Sequence, residues 1–137
     1  MSHEIGFEVH SNLSFEEALE KVTQALKSQG FGVLTRIDVH QTLKEKLGEE
    51  FRPYVILGAC NPPLAHRALM ADPIIGLMLP CNVTVEADPA GGVMTRIANP
   101  VVMLKIGPKA NPELTAVARE AKARLEKVAE ILLQASE

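Results

Sequence analysis

The sequence predicts an α+β fold in which helices pack on one face of a mainly antiparallel sheet. Three observations predict it. Segments that alternate apolar and polar residues interleave with segments whose apolar residues recur every three or four positions. Residues 82–98 hold two alternating runs on either side of Asp88-Pro89-Ala90-Gly91-Gly92, a hairpin signature. A long amphipathic helix ends the order strand, helix, strand, small helix, strand, helix, hairpin, helix. At 137 residues the size prior gives one domain over 1–137.

Gly6-Phe7-Glu8-Val9-His10 alternates and reads as a half-buried strand. Ser14 with Glu17 forms a capping box, and Phe15, Ala18, Leu19, Val22 and Leu26 then share one helical face up to Gly30. Phe31, Val33, Thr35, Ile37 and Val39 alternate with Gly32, Leu34, Arg36 and Asp38, which predicts a second strand. Asp38 followed by Gln41 is a second capping signal, for a short surface helix that stops at Gly48. Tyr54 to Ala59 has no polar side and reads as a strand covered on both faces or central in the sheet. Asn61-Pro62 starts a helix that ends before Asp72-Pro73. Ile74 to Leu79 is apolar but interrupted by Gly76 and reads as irregular. Asn82–Ala87 and Val93–Ala98 are the hairpin strands, and Asn99-Pro100 breaks the second. Val101 to Ile106 fits strand or helical turn equally. Asn111-Pro112 opens the last helix, whose buried stripe is Leu114, Val117, Ala118, Ala121, Leu125, Val128, Ala129 and Leu132.

Composition excludes several function classes. Net charge is −3 with no basic block, which argues against nucleic acid. One Tyr, four Phe and no Trp leave no base-stacking platform. No apolar run approaches the ~20 residues that span a bilayer. Met1-Ser2-His3-Glu4 lacks the regions of a signal peptide, so a cytoplasmic protein with reduced thiols is expected.

The stretch that carries the candidate chemistry runs from Tyr54 through Cys60-Asn61-Pro62-Pro63 to Leu79-Pro80-Cys81-Asn82. Both cysteines lie in it, and each is followed by an asparagine. Cys60 sits where a strand ends and a helix begins, where exposed N–H groups and the helix dipole favour a thiolate. Against this, free cysteine is among the most buried residue types and packs as a small hydrophobe. Asn61 reads as an N-cap, contributing about 1 kcal/mol. Asn82 has no equally clear local role and is placed to turn its amide into a cleft. The ligand spacing of a structural metal site is absent, and His66 reads as a solvated residue beside Arg67. Neither a nucleophile elbow nor a phosphate loop is present, and Glu16-Glu17 and Glu49-Glu50 read as solvated faces.

Gly58-Ala59-Cys60-Asn61-Pro62, Leu77-Met78-Leu79-Pro80-Cys81-Asn82-Val83, Asn99-Pro100 and Asn111-Pro112-Glu113-Leu114 together resemble the family known as domain of unknown function 302. The resemblance covers about Gly6 to Leu133. It implies a fold similar to that of the TATA-box-binding protein, in a homodimer, and it carries no established activity or cofactor. DNA binding does not follow, because fold and function separate freely.

Three functions are compatible with these residues. The first is a homodimeric ligand-binding or regulatory module, with a small molecule in an apolar cleft rimmed by Cys60, Asn61, Cys81 and Asn82. The second is a thiol-dependent enzyme or redox protein using Cys60, with Cys81 as resolving partner. The third is a plain interaction domain. Apolar residues in irregular segments, Met70, Ile74, Ile75, Met78, Leu79 and Val101–Met103 among them, fit either core or an exposed partner surface.

Overall fold

The computed structural model of the chain describes residues 2–3, 5–105 and 111–135. Its sheet contains β1 (Ser2–His3), β2 (Gly6–Ser11), β3 (Gly32–Asp38), β4 (Tyr54–Cys60), β5 (Cys81–Ala87) and β6 (Val93–Ala98). The spatial order is β1-β2-β6-β5-β4-β3, with every neighbouring pair antiparallel. Helices α1 (Phe15–Ser28) and α5 (Pro112–Ala135) pack on one face of it. The sequence reading did not include β1. It is an edge addition of two residues paired to β2.

Local chemistry sets the element ends. The Ser14 hydroxyl accepts from the Glu17 N–H, and the Glu17 carboxylate accepts from the Ser14 N–H, so the capping box is formed at both ends. Gly30 takes φ +84°, the left-handed conformation glycine adopts without a Cβ penalty. All three Asn-Pro steps are N-caps. Asn61 caps α3 (Pro62–Ala71), Asn99 caps α4 (Pro100–Leu104) and Asn111 caps α5. Val101–Leu104 therefore resolves as a helical turn, while Ile106 lies outside the described residues. Between α3 and β5 the chain forms a 3₁₀ segment, Pro73–Met78, where the sequence suggested irregular structure.

The main core is the layer between the sheet and its two helices. Val55, Leu57 and Ala59 of β4, Val83 and Val85 of β5, and Val93 and Ile97 of β6 project into it. They meet Leu19, Val22 and Leu26 of α1, and Leu125, Val128 and Leu132 of α5. Strand β4 is second from the edge and has a single fully covered side, so its apolar run is not that of a central, doubly covered strand.

Strand β3 departs most from expectation. The strand forms, but the alternation over 31–39 is interrupted, because the register shifts between Val33 and Thr35. Val33 pairs with Ala59 and faces the core, whereas Thr35 and Ile37 pair with Gly58 and Ile56 and face away from it. One inserted residue, Leu34, reverses every side chain that follows and is itself 70% exposed. Val39 already belongs to α2 (Val39–Leu47), which buries no side chain and ends at Gly48 in the left-handed conformation. Asp38 holds the N-cap position of α2 without capping it. Its carboxylate accepts instead from the Arg36 guanidinium at 2.9 Å.

The sheet face away from the helices carries a row of alternating charges, Glu8, Arg96, Glu86 and Arg52. Glu86 is 5% exposed and accepts from both Arg52 and Arg96. Burial works against its charge, but the two guanidinium groups outweigh that cost and hold the carboxyl below the usual carboxylate range.

Candidate functional site

At one end of the sheet, below α3 and α4, lies a cavity of about 230 Å³. It opens where β4 ends and β5 begins, which is where the sequence placed its candidate chemistry. Register explains the convergence. Ala59 pairs directly with Cys81, and Gly58 with Asn82, so twenty-one positions of chain close into two adjacent strand ends. Cys60, Asn61, Cys81 and Asn82 all line the cavity.

The four residues are not equivalent. Asn61 is buried and both ends of its amide are engaged. Its Oδ1 accepts from the Leu64 N–H at 3.3 Å, and its Nδ2 donates to the Gln29 carbonyl at 3.4 Å. Its work is to start α3 and to tie that start to the end of α1. Asn82 is exposed and alternates with Cys81 and Val83, so its side chain shares the side of β5 that carries Thr84 and Glu86, and its amide has no hydrogen-bond partner among the described residues. Both cysteines are free and partly buried. Burial, with Cys60 nearby, pushes the Cys81 thiol up to about 11, so at neutral pH it is a protonated S–H and a poor nucleophile.

Small residues make the hollow. Ala59 and Ala98 come from the sheet, Ala65 and Ala68 from α3, and Ala118 and Ala121 from α5. Leu64, Ala68, Ile75, Leu114, Val117 and Ala121 form a second apolar cluster around it, separate from the main core. Met78 and Met103 supply flexible, polarisable walls. No Lys, Arg, His, Asp or Glu lines the cavity among the described residues. Nor do those residues hold a group of three His, Cys, Asp or Glu side chains able to bind a metal ion.

One wall is the Pro73–Met78 segment. Asp72 caps it through its carboxylate, which accepts from the Ile74 N–H at 3.1 Å. Ile75 turns inward and is buried, while Ile74 and Leu77 turn out. Leu77 is 85% exposed although it lines the cavity, and Met70 of α3 is 75% exposed. The apolar residues of this region thus serve both as core and as exposed rim. Pro80 follows a cis peptide bond and lies against Gly58, where an added Cβ would stand 2.8 Å from Pro80 Cγ and would collide with Thr35 Oγ1. That close approach accounts for a glycine inside an otherwise bulky strand.

Of the cavity's lining residues, sequence reasoning had singled out Cys60, Asn61, Cys81 and Asn82 and had missed most of the wall. Met103 and Leu104 lie in the segment that fitted strand or turn equally, and the alanines of α3 and α5 looked like ordinary core positions. Their number on facing helices was the available signal. His66 is exposed on α3, as its helical position suggested.

A family model described as domain of unknown function DUF302 matches residues 7–132. The fold matches a crystal structure of an uncharacterized conserved DUF302 protein from Bacillus stearothermophilus, with a TM-score of 0.83 and 30% identity. That match covers 93% of this chain and 97% of the other. No curated protein matches the chain. By the extent of the family match and the agreement in fold, the chain belongs to the DUF302 family.

Proposed function

We propose that this protein is a small-ligand-binding or regulatory module whose ligand occupies the cavity at the end of the sheet. The observation that carries the reading is the cavity itself, an apolar hollow of about 230 Å³ whose described wall residues bear no charge. Apolar pockets with few convergent polar groups are the usual form of small-molecule sites. Cys60 and Cys81 act here as apolar wall and weak S–H donor. The value of about 11 for Cys81 counts against its use as a resolving thiolate. A cytoplasmic setting belongs to the same proposal and agrees with two free thiols in one cavity. So does action as a single domain over 1–137.

The proposal includes a homodimer. Leu34, Ile37 and Leu47 stand exposed on β3 and α2, are not themselves cavity-lining, and would be covered by a second copy. Light scattering should give a mass near 30 kDa, twice the chain mass of 14.9 kDa, and a mass of one chain at micromolar concentration removes this part.

Native mass spectrometry of the purified protein, with a thermal-shift screen of uncharged small molecules, tests the ligand reading. The expected result is a stabilising compound whose effect disappears when Ala68→Leu fills the cavity. A screen in which no compound raises the melting temperature counts against it.

A further inference from the structure

The class of ligand can be narrowed from the wall and the rim together, in an inference that rests on the ligand-binding reading above. We infer that the cavity takes an uncharged molecule with an unbranched alkyl chain, whose inner part fills the hollow and whose outer part lies along the exposed rim of the Pro73–Met78 segment.

Charge is excluded first. An ionised group inside this wall would find no opposite charge among the described residues, and an unpaired buried charge is strongly disfavoured. The polar groups of the wall are the two thiols, weak donors that suit a hydroxyl, an ester or a carbonyl. Size comes next. A dry cavity of about 150 Å³ holds benzene, with six heavy atoms, so about 230 Å³ accommodates roughly nine.

Shape is set by the rim. Leu77 belongs to the cavity wall and, at 85% exposure, also to the outer surface. Ile74, Leu69 and Met70 extend the exposed apolar surface on the same segment and on the neighbouring end of α3. Gly76 lies against Leu69, where an added Cβ would stand 3.8 Å from its Cδ2, so the two segments are in contact there. Apolar surface that passes through Leu77 from the cavity wall to the outside matches a chain longer than the cavity. A compact ring would fill the hollow and leave the rim bare.

Titration calorimetry of the full chain with 1-hexanol, 1-octanol, 1-dodecanol, sodium octanoate and toluene at pH 7 tests the inference. Alcohol affinity should rise about fourfold per methylene while the cavity fills, and less steeply beyond about nine heavy atoms. Octanoate should bind about tenfold or more weakly than 1-octanol. Leu77→Ser, at an exposed position, should weaken dodecanol binding several times more than hexanol binding. Octanoate binding as tightly as octanol would overturn the uncharged class. Toluene binding without octanol binding would overturn the chain class and leave the ligand-binding reading standing. An equal loss for both alcohols in Leu77→Ser would overturn the part given to the rim. Binding of none of the probes would overturn this inference, whereas the loss of every stabilising compound in the wider screen would be needed to remove the reading beneath it.

Discussion

The two halves of α5 are made of the same residue types and do different work. The second half places Leu125, Val128, Ala129 and Leu132 against β-sheet side chains that interdigitate with them, and Leu125 and Val128 are fully buried. The first half places Leu114, Val117, Ala118 and Ala121 against α3 and the 3₁₀ segment, and a hollow of about 230 Å³ remains between them. A sheet offers large side chains at every second position, so an alanine on the helix is matched by a valine or leucine opposite. Helix α3 offers Ala65 and Ala68 instead, and alanine facing alanine leaves space. Along one helix, the partner decides whether a small residue is packing or a cavity wall.

Truncation should separate the halves most. Leu125→Ala is expected to cost about 3–4 kcal/mol and Leu114→Ala about 2 kcal/mol, because Leu114 already borders empty space and has fewer contacts to lose. Equal losses in chemical denaturation would show that the two halves of α5 are packed alike. Enlargement sharpens it with opposite signs. Ala129→Leu overpacks the main core and should destabilise by about 1–3 kcal/mol. Ala121→Leu grows into the hollow and should be neutral or stabilising by up to about 1 kcal/mol.

Outside α5, Glu86→Gln is expected to cost about 1–2 kcal/mol, a figure lowered because both partner arginines are substantially exposed. The pH dependence follows from the depressed carboxyl. Its contribution is complete above the unfolded value of about 4.3 and is lost as pH falls through the lower folded value. A wild-type acid-unfolding curve identical to that of Glu86→Gln would contradict this role. The smallest effect is expected at Cys81. Its folded value is raised, so the stability it confers is whole below the ordinary thiol range and declines as pH rises toward about 11. Alkylation at pH 8 should label Cys81 slowly in the folded protein, and labelling as fast as in the unfolded chain would show the thiol is not held by burial.

Much of this could be read in the sequence where the signal was local. All eight stripe residues of α5 are buried, and the Ser14–Glu17 box and the Asn61 cap form as their spacing indicates. What failed depended on a partner. Nothing within residues 31–39 announces the bulge at Leu34, because it exists only in the pairing with β4. Hairpin alternation puts Glu86 and Arg96 on one face, but Arg52 and Glu8 join them from distant strands and loops. The two Cys-Asn pairs lie on the wall of the hollow, whereas its volume arises from alanines on β4, β6, α3 and α5.

The central claim is that the hollow at the sheet end is a binding site, and one measurement reaches it directly. The melting temperature of the wild-type chain and of Ala121→Leu should be recorded with and without saturating 1-octanol. A clear rise is expected for the wild type and none for the variant, which stays folded with its cavity filled. An equal rise in both would place the alcohol elsewhere on the protein, and that result would contradict the account.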